Sequence, residues 1–239
     1  MKNIKHTLAL AALALASGAV SAAAITPTFS TFGTLAGATF GGNGIPNTAV
    51  AITTTTDGLT LGLTAHQRFV GPNLANDGAG TFFAPAGVSL VAPSPADPFA
   101  LWNFGSYIGG TNLASYLFVL FYDFDPLAGN DQSTHGRVRV PGTALATNPA
   151  QASSNLGFDS LAVTDPMTGV TATGGVFDPN AAGEYTFALV AYTFTTFQLQ
   201  EVARTAIRVN VLRNDVSEPG TLALAGLALL GLAAVRRRA

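Results

Sequence analysis

The chain has 239 residues, 48% of them hydrophobic and only 10% charged, against roughly 25% charged in an ordinary soluble domain. It contains no Cys, which excludes a disulfide scaffold, a Cys-ligated zinc site and a thiol nucleophile. A formal charge of −2 without a basic stretch in the body argues against nucleic acid as a partner, and 16 Phe with 5 Tyr and 1 Trp supply enough core to argue against disorder.

In chain order, residues 1–24 read as a secretory signal. Lys2 and Lys5 make a short cationic start and Thr7–Ala16 an uncharged Ala/Leu run. Val20-Ser21-Ala22 then offers small residues to signal peptidase, with Ala24 as a second cleavage position. General secretion machinery is the partner this implies.

Residues 25–212 carry all the aromatics, between Phe29 and Phe197, and their pattern is β. Leu59, Leu61, Leu63 and Ala65 alternate with Thr60, Gly62, Thr64 and His66, the period of a strand with two unlike faces. Tyr116–Tyr122 is a continuous apolar run, as in a strand buried on both faces. Gly183–Phe197 places Tyr185, Phe187 and Leu189 on one face; Ile207, Val209 and Val211 alternate with Arg208 and Asn210, giving a last strand with one wet face. Asp57-Gly58, Asn76-Asp77-Gly78, Asp125-Pro126, Asp165-Pro166 and Asp178-Pro179 punctuate these runs as turns. No segment of the body has a helical period. Residues 84–100 and 141–155 read as exposed loops, a small β unit over 25–90 is an alternative division, and 213–218 reads as a flexible stalk.

The expected fold is therefore all-β: an antiparallel β-sandwich of Ig-like, Greek-key type, flanked by an N-terminal signal helix and a C-terminal apolar helix. The Ig-like reading rests on Gly183-Glu184-Tyr185, a Gly-x-Tyr opening a long alternating strand, which resembles the tyrosine corner of such sandwiches.

Chemistry-bearing patterns are sparse. There is no H-E-x-x-H and no G-x-S-x-G, and Glu occurs only at 184, 201 and 218. His66 and His135 are the histidines of the body and are expected on an exposed strand face or loop. Asp123, Asp125 and Asp131, with Asn130, put hard oxygen donors within nine residues; this suits Ca²⁺, although the same Asp-Pro and Gly-Asn-Asp sequences form turns. Trp102 and Tyr107 could stack on a sugar. Thr53–Thr56 is too short for the flat repeated array that ice recognition needs.

The chain closes with Val216-Ser217-Glu218-Pro219, the apolar run Thr221–Val235, and Arg236-Arg237-Arg238 before Ala239. As a helix the run would span roughly 22 Å, short of a ~30 Å hydrocarbon core. The arginines would hold its end in the cytoplasm. Residues 219–239 thus form a marginal anchor. Glu-Pro, apolar helix and terminal Arg cluster together resemble the PEP-CTERM sorting signal, with Ser217 where that family has Pro. The resemblance implies export, transient residence in the inner membrane, and processing near Glu218-Pro219 by an exosortase, in bacteria that make exopolysaccharide. With both ends removed, 6 cationic residues face 13 acidic ones, so the mature body is acidic and unsuited to broad capture of an anionic polymer. The leading expectation is a non-enzymatic cell-surface or extracellular-matrix protein. The alternatives are a calcium-assisted carbohydrate-binding module and a secreted hydrolase.

Overall fold

The computed structural model describes residues 23–69, 73–90, 99–195 and 198–213. The signal sequence up to Ala22 and the sorting residues Val216, Ser217, Glu218, Pro219 and Arg236–Arg238 lie outside the described residues, and with them both expected terminal helices.

Two sheets make the fold. The first contains β1 (Thr31–Gly33), β2 (Val50–Thr54), β3 (Leu59–Gln67), β6 (Trp102–Gly110) and β9 (Ala150–Ser154), in the order β1-β2-β3-β6-β9. The second contains β4 (Ala75–Asn76), β5 (Thr81–Pro85), β7 (Leu117–Tyr122), β8 (Gly136–Pro141), β10 (Val170–Thr171), β11 (Gly183–Thr195) and β12 (Gln198–Leu212), in the order β10-β8-β7-β11-β12-β5-β4. The residues of the alternative unit 25–90 are spread over both sheets. Among the described residues all strand pairings but one are antiparallel: β5 lies parallel to β12, from Thr81 opposite Arg208 to Pro85 opposite Leu212. A single helical turn, α1 (Asp159–Ala162), is the one α-helix among the described residues.

The period-two pattern decides which side chains meet between the sheets. Leu59, Leu61, Leu63 and Ala65 of β3, with Trp102 and Phe104 of β6, pack onto Phe118 of β7, Tyr185, Phe187 and Leu189 of β11, and Ile207, Val209 and Val211 of β12. Phe104 stacks on Phe187 with centroids 4.5 Å apart. Ring pairs of this kind add about 0.5–1.5 kcal/mol beyond area burial.

The opposite faces are covered as well. Ile25 closes over Val119, Phe121, Ala188, Val190 and Ala206 on the seven-stranded sheet, and Thr28 exchanges backbone hydrogen bonds with Ala206. This buries the Tyr116–Tyr122 run from both sides, as its composition suggested. On the five-stranded sheet, Ala38 and Phe40 of the segment between β1 and β2 pack on Val50 and Ile52. The polar positions of β3 are buried too: Thr64 donates to the Ala49 carbonyl at 2.6 Å, and His66, expected on an exposed face or loop, is 3% exposed.

Three further readings need adjusting. Residues 141–155 are not one loop, because they contain β9, which pairs Ala150–Ser154 with β6. His135, like His66, is buried rather than exposed. Trp102 is 1% exposed and packs against Tyr185 and Phe187, so it offers no face to a sugar. The Tyr185 hydroxyl donates to the Ala181 carbonyl, four residues upstream, at 3.1 Å. The strand order establishes a two-sheet sandwich.

Candidate functional site

Two polar clusters gather the chemistry-bearing side chains. The first follows β7. The strand ends at Tyr122, and Asp123 turns into the protein at 3% exposure. Its Oδ1 accepts from the Asp125 backbone N–H at 2.9 Å and its Oδ2 from Asn130 Nδ2 at 3.1 Å. His135 Nε2 lies 3.6 Å from the same Oδ2 and 2.7 Å from Thr186 Oγ1 on β11. His135 Nδ1 is 3.1 Å from the Asp131 carbonyl; since a carbonyl only accepts, Nδ1 carries the proton, and in the neutral ring Nε2 accepts from the Thr186 hydroxyl. Burial pushes the Asp123 carboxyl above its usual range, opposed by the Asp125 N–H and by His135.

The other two carboxylates serve their own turns. Asp125 Oδ1 accepts from the Leu127 N–H at 3.0 Å, and Asp131 Oδ1 from the Ser133 N–H at 2.8 Å, capping a turn of 3₁₀ helix at Gln132–Thr134. The bonds from Ser133 hold Asp131 below the usual carboxylate range. Among the described residues no group of three or more His, Asp or Glu side chains is placed to hold a metal ion. What the sequence offers as a cation site is, in the fold, a set of turn-locking acceptors around a buried His–Asp pair.

The second cluster sits at the open end of β3 and β6. His66 Nδ1 meets the Gln67 carbonyl at 3.0 Å and Nε2 meets Ser153 Oγ of β9 at 3.1 Å. Ser153 Oγ also accepts from Asn103 Nδ2 at 2.9 Å. Behind it, the fully buried Asn155 binds the start of β6: its Oδ1 accepts from the Ala100 and Gly157 N–H groups, and its two Nδ2 hydrogens are shared among the carbonyls of Ala100 and Trp102 and Asn103 Oδ1, all at 2.8–3.0 Å. Burial lowers the His66 pKa, outweighing the Gln67 carbonyl, which raises it.

His66, Arg68, Asn103 and Ser153 line a cavity of about 540 Å³, closed on another side by the glycine-rich loop Gly41–Gly44 and by Phe158. A serine within reach of an imidazole is the first half of a nucleophilic arrangement. Among the described residues Nδ1 faces the Gln67 carbonyl, and burial makes His66 a weaker base. The sequence alone points to His66, and to Asn103 beside Trp102 as a sugar contact, but it does not single out Arg68, Ser153 or Asn155. One signal was available, since Arg68 is the only cationic residue between Lys5 and Arg137. Tyr107, on the same strand as Asn103, is half-buried beside Leu35 and Val50 on the outer face, away from this cavity.

Residues 215–238 match the PEP-CTERM protein-sorting motif. Neither the curated proteins nor the solved structures give a match to this chain. The motif marks an exported protein that an exosortase processes. Among the described residues no helix is long and apolar enough to cross a membrane; the apolar run Thr221–Val235 lies outside them.

Proposed function

From a chain that ends in a PEP-CTERM sorting motif, we propose a non-enzymatic protein of the cell surface or extracellular matrix, held briefly in the inner membrane and released by an exosortase-like enzyme near Glu218-Pro219. The match at residues 215–238 carries this reading. The fold supports it in two ways. The last described strand, β12, ends at Leu212, three positions before the matched sorting segment begins at residue 215. The first described residues already belong to the fold: the Ala23 carbonyl accepts from the Gln132 N–H, Ala24 bridges Asp131, and Ile25 is 3% exposed. Signal peptidase acting after Ala22 keeps these contacts, whereas cleavage after Ala24 removes two of the three residues that make them.

The role of the body is adhesive or structural, in contact with the outer surface or its exopolysaccharide, with an Ig-like closing hairpin of β11 and β12. The Tyr185–Ala181 contact supports the Ig-like part of that reading. Mass spectrometry of membrane, surface and medium fractions from a host with the sorting enzyme tests it. The expected mature chain begins at Ala23 and lacks Arg236–Arg238. A released pool that retains those arginines would overturn the processing, and the same pool in a sorting-enzyme deletion would remove the enzyme from the account.

A further inference from the structure

A buried charge normally has a partner, because removing a guanidinium from water costs several kcal/mol. Arg68 breaks that rule. It is 7% exposed, and among the described residues its side chain makes no hydrogen bond and no ion pair; Nε is buried with nothing to donate to. Its guanidinium carbon sits instead 4.4 Å from the ring centre of Phe69, 4.5 Å from Phe99 and 5.8 Å from Phe158. Contacts of this type stabilise the cation through its faces. They leave the in-plane N–H groups, the part that recognises anions, without an acceptor.

Those N–H groups belong to a side chain that lines the 540 Å³ cavity, a volume within the roughly 300–1,000 Å³ of small-molecule sites. Both walls are held in uncommon backbone conformations. Phe69 has φ 58° and Phe40, which precedes the Gly41–Gly44 wall, has φ 47°. A bulky residue in the left-handed region costs of order 1–3 kcal/mol and persists only where its surroundings enforce it. At Phe69 the result is a ring set against the guanidinium and 65% exposed. Asn103 and Ser153 keep spare capacity: Asn103 Nδ2 has a second N–H, and Ser153 Oγ a second lone pair.

We propose that this cavity is a binding site for a sugar acid, with its carboxylate bridged by the Arg68 guanidinium and its hydroxyls met by Asn103 and Ser153. A planar fork matches a carboxylate with two parallel hydrogen bonds. Arg68 is the one Lys or Arg lining the cavity, and a single cation in a body of net negative charge favours a singly charged anion over a doubly charged phosphate ester. The Phe69 ring gives the C–H face of a pyranose a surface to lie on.

Calorimetry of the intact full-length chain tests the site. D-glucuronate should bind saturably, D-glucose should not bind in the same range, and acetate should bind more weakly than glucuronate. Arg68→Met keeps the aliphatic stem and should lower glucuronate affinity by roughly 30-fold or more, the lower end for losing one partner of a desolvated charge pair. Ser153→Ala should weaken glucuronate by roughly threefold to tenfold and leave acetate unchanged. An oligouronide that binds as well as the monomer identifies a glycan terminus as the source; a monomer that binds alone identifies a free sugar acid. Equal binding of glucose and glucuronate, or of neither, overturns the site. Acetate as strong as glucuronate overturns its sugar part. If Arg68→Met does not fold, the Nε–H resonance of Arg68 in the unsubstituted chain decides, assigned by its loss in Arg68→Lys: it moves with glucuronate and not with glucose, or the proposal fails.

Discussion

Asn155 is the position where one side-chain amide does most for the fold. Its five hydrogen bonds join the residues after β9 to the start of β6, and it is fully buried. Asn155→Leu keeps the approximate volume and removes every donor and acceptor. The backbone N–H groups of Ala100 and Gly157, the carbonyls of Ala100 and Trp102, and Asn103 Oδ1 all lose a partner at once. A net ~1 kcal/mol per hydrogen bond, reduced where water or a small backbone shift replaces a partner, gives a loss of about 3–5 kcal/mol. That is a third or more of the stability of a typical domain. Urea denaturation followed by far-UV circular dichroism measures it, as a lower midpoint at unchanged slope. A loss under about 1 kcal/mol would refute the reasoning, because the amide would then be a passenger in a site that the backbone closes by itself.

His66 and Gly142 give two further tests. The folded protein lowers the His66 pKa from 6.5; below that pH the unfolded chain binds a proton that the native state resists, so stability falls as pH drops through the window beneath 6.5. Buried Asp123, raised in the native state, works in the opposite sense, so the comparison that isolates His66 is the pH dependence of stability in His66→Gln against the parent. The difference should vanish in the variant's favour on the acid side, and parallel curves would contradict it. Gly142→Ala would put Cβ 1.6 Å from the Leu113 carbonyl oxygen, a backbone atom that cannot swing aside. A loss of about 3 kcal/mol in thermal melting is expected, against less than about 0.5 kcal/mol for Gly33→Ala, where nothing lies within 4 Å.

Local chemistry was legible wherever neighbouring residues sufficed. Period two over Leu59–Ala65 and Ile207–Val211 gave strands and their inward faces, and the apolar run before Tyr122 gave a strand covered twice. Asp57-Gly58 and Asp165-Pro166 gave turns. The Tyr185–Ala181 bond is local as well, since both partners lie within four residues. The sorting motif is linear by nature, as a processing enzyme reads it from the chain, and its match at 215–238 needs no fold at all.

Tertiary structure decided what depended on distant segments. Ala150–Ser154 has no β-branched residue to announce a strand and becomes one only because β6 presents a free edge for it. His66 is inside, with Ser153 of β9, 87 positions later, against its Nε2. Trp102 became core instead of a sugar platform once β6 faced β11. Asp123, Asp125 and Asp131 were close in sequence and still did not converge, because each short Asp side chain found a backbone N–H two residues on before it could meet another carboxylate. Arg68 shows the reverse: its cavity is assembled from residues 41–46, 66–69, 103, 153 and 158, and no window of sequence contains them together. Short-range hydrogen bonding and side-chain period are written in adjacent residues; burial and convergence arise only when strands as far apart in sequence as Thr81 and Arg208 share a sheet.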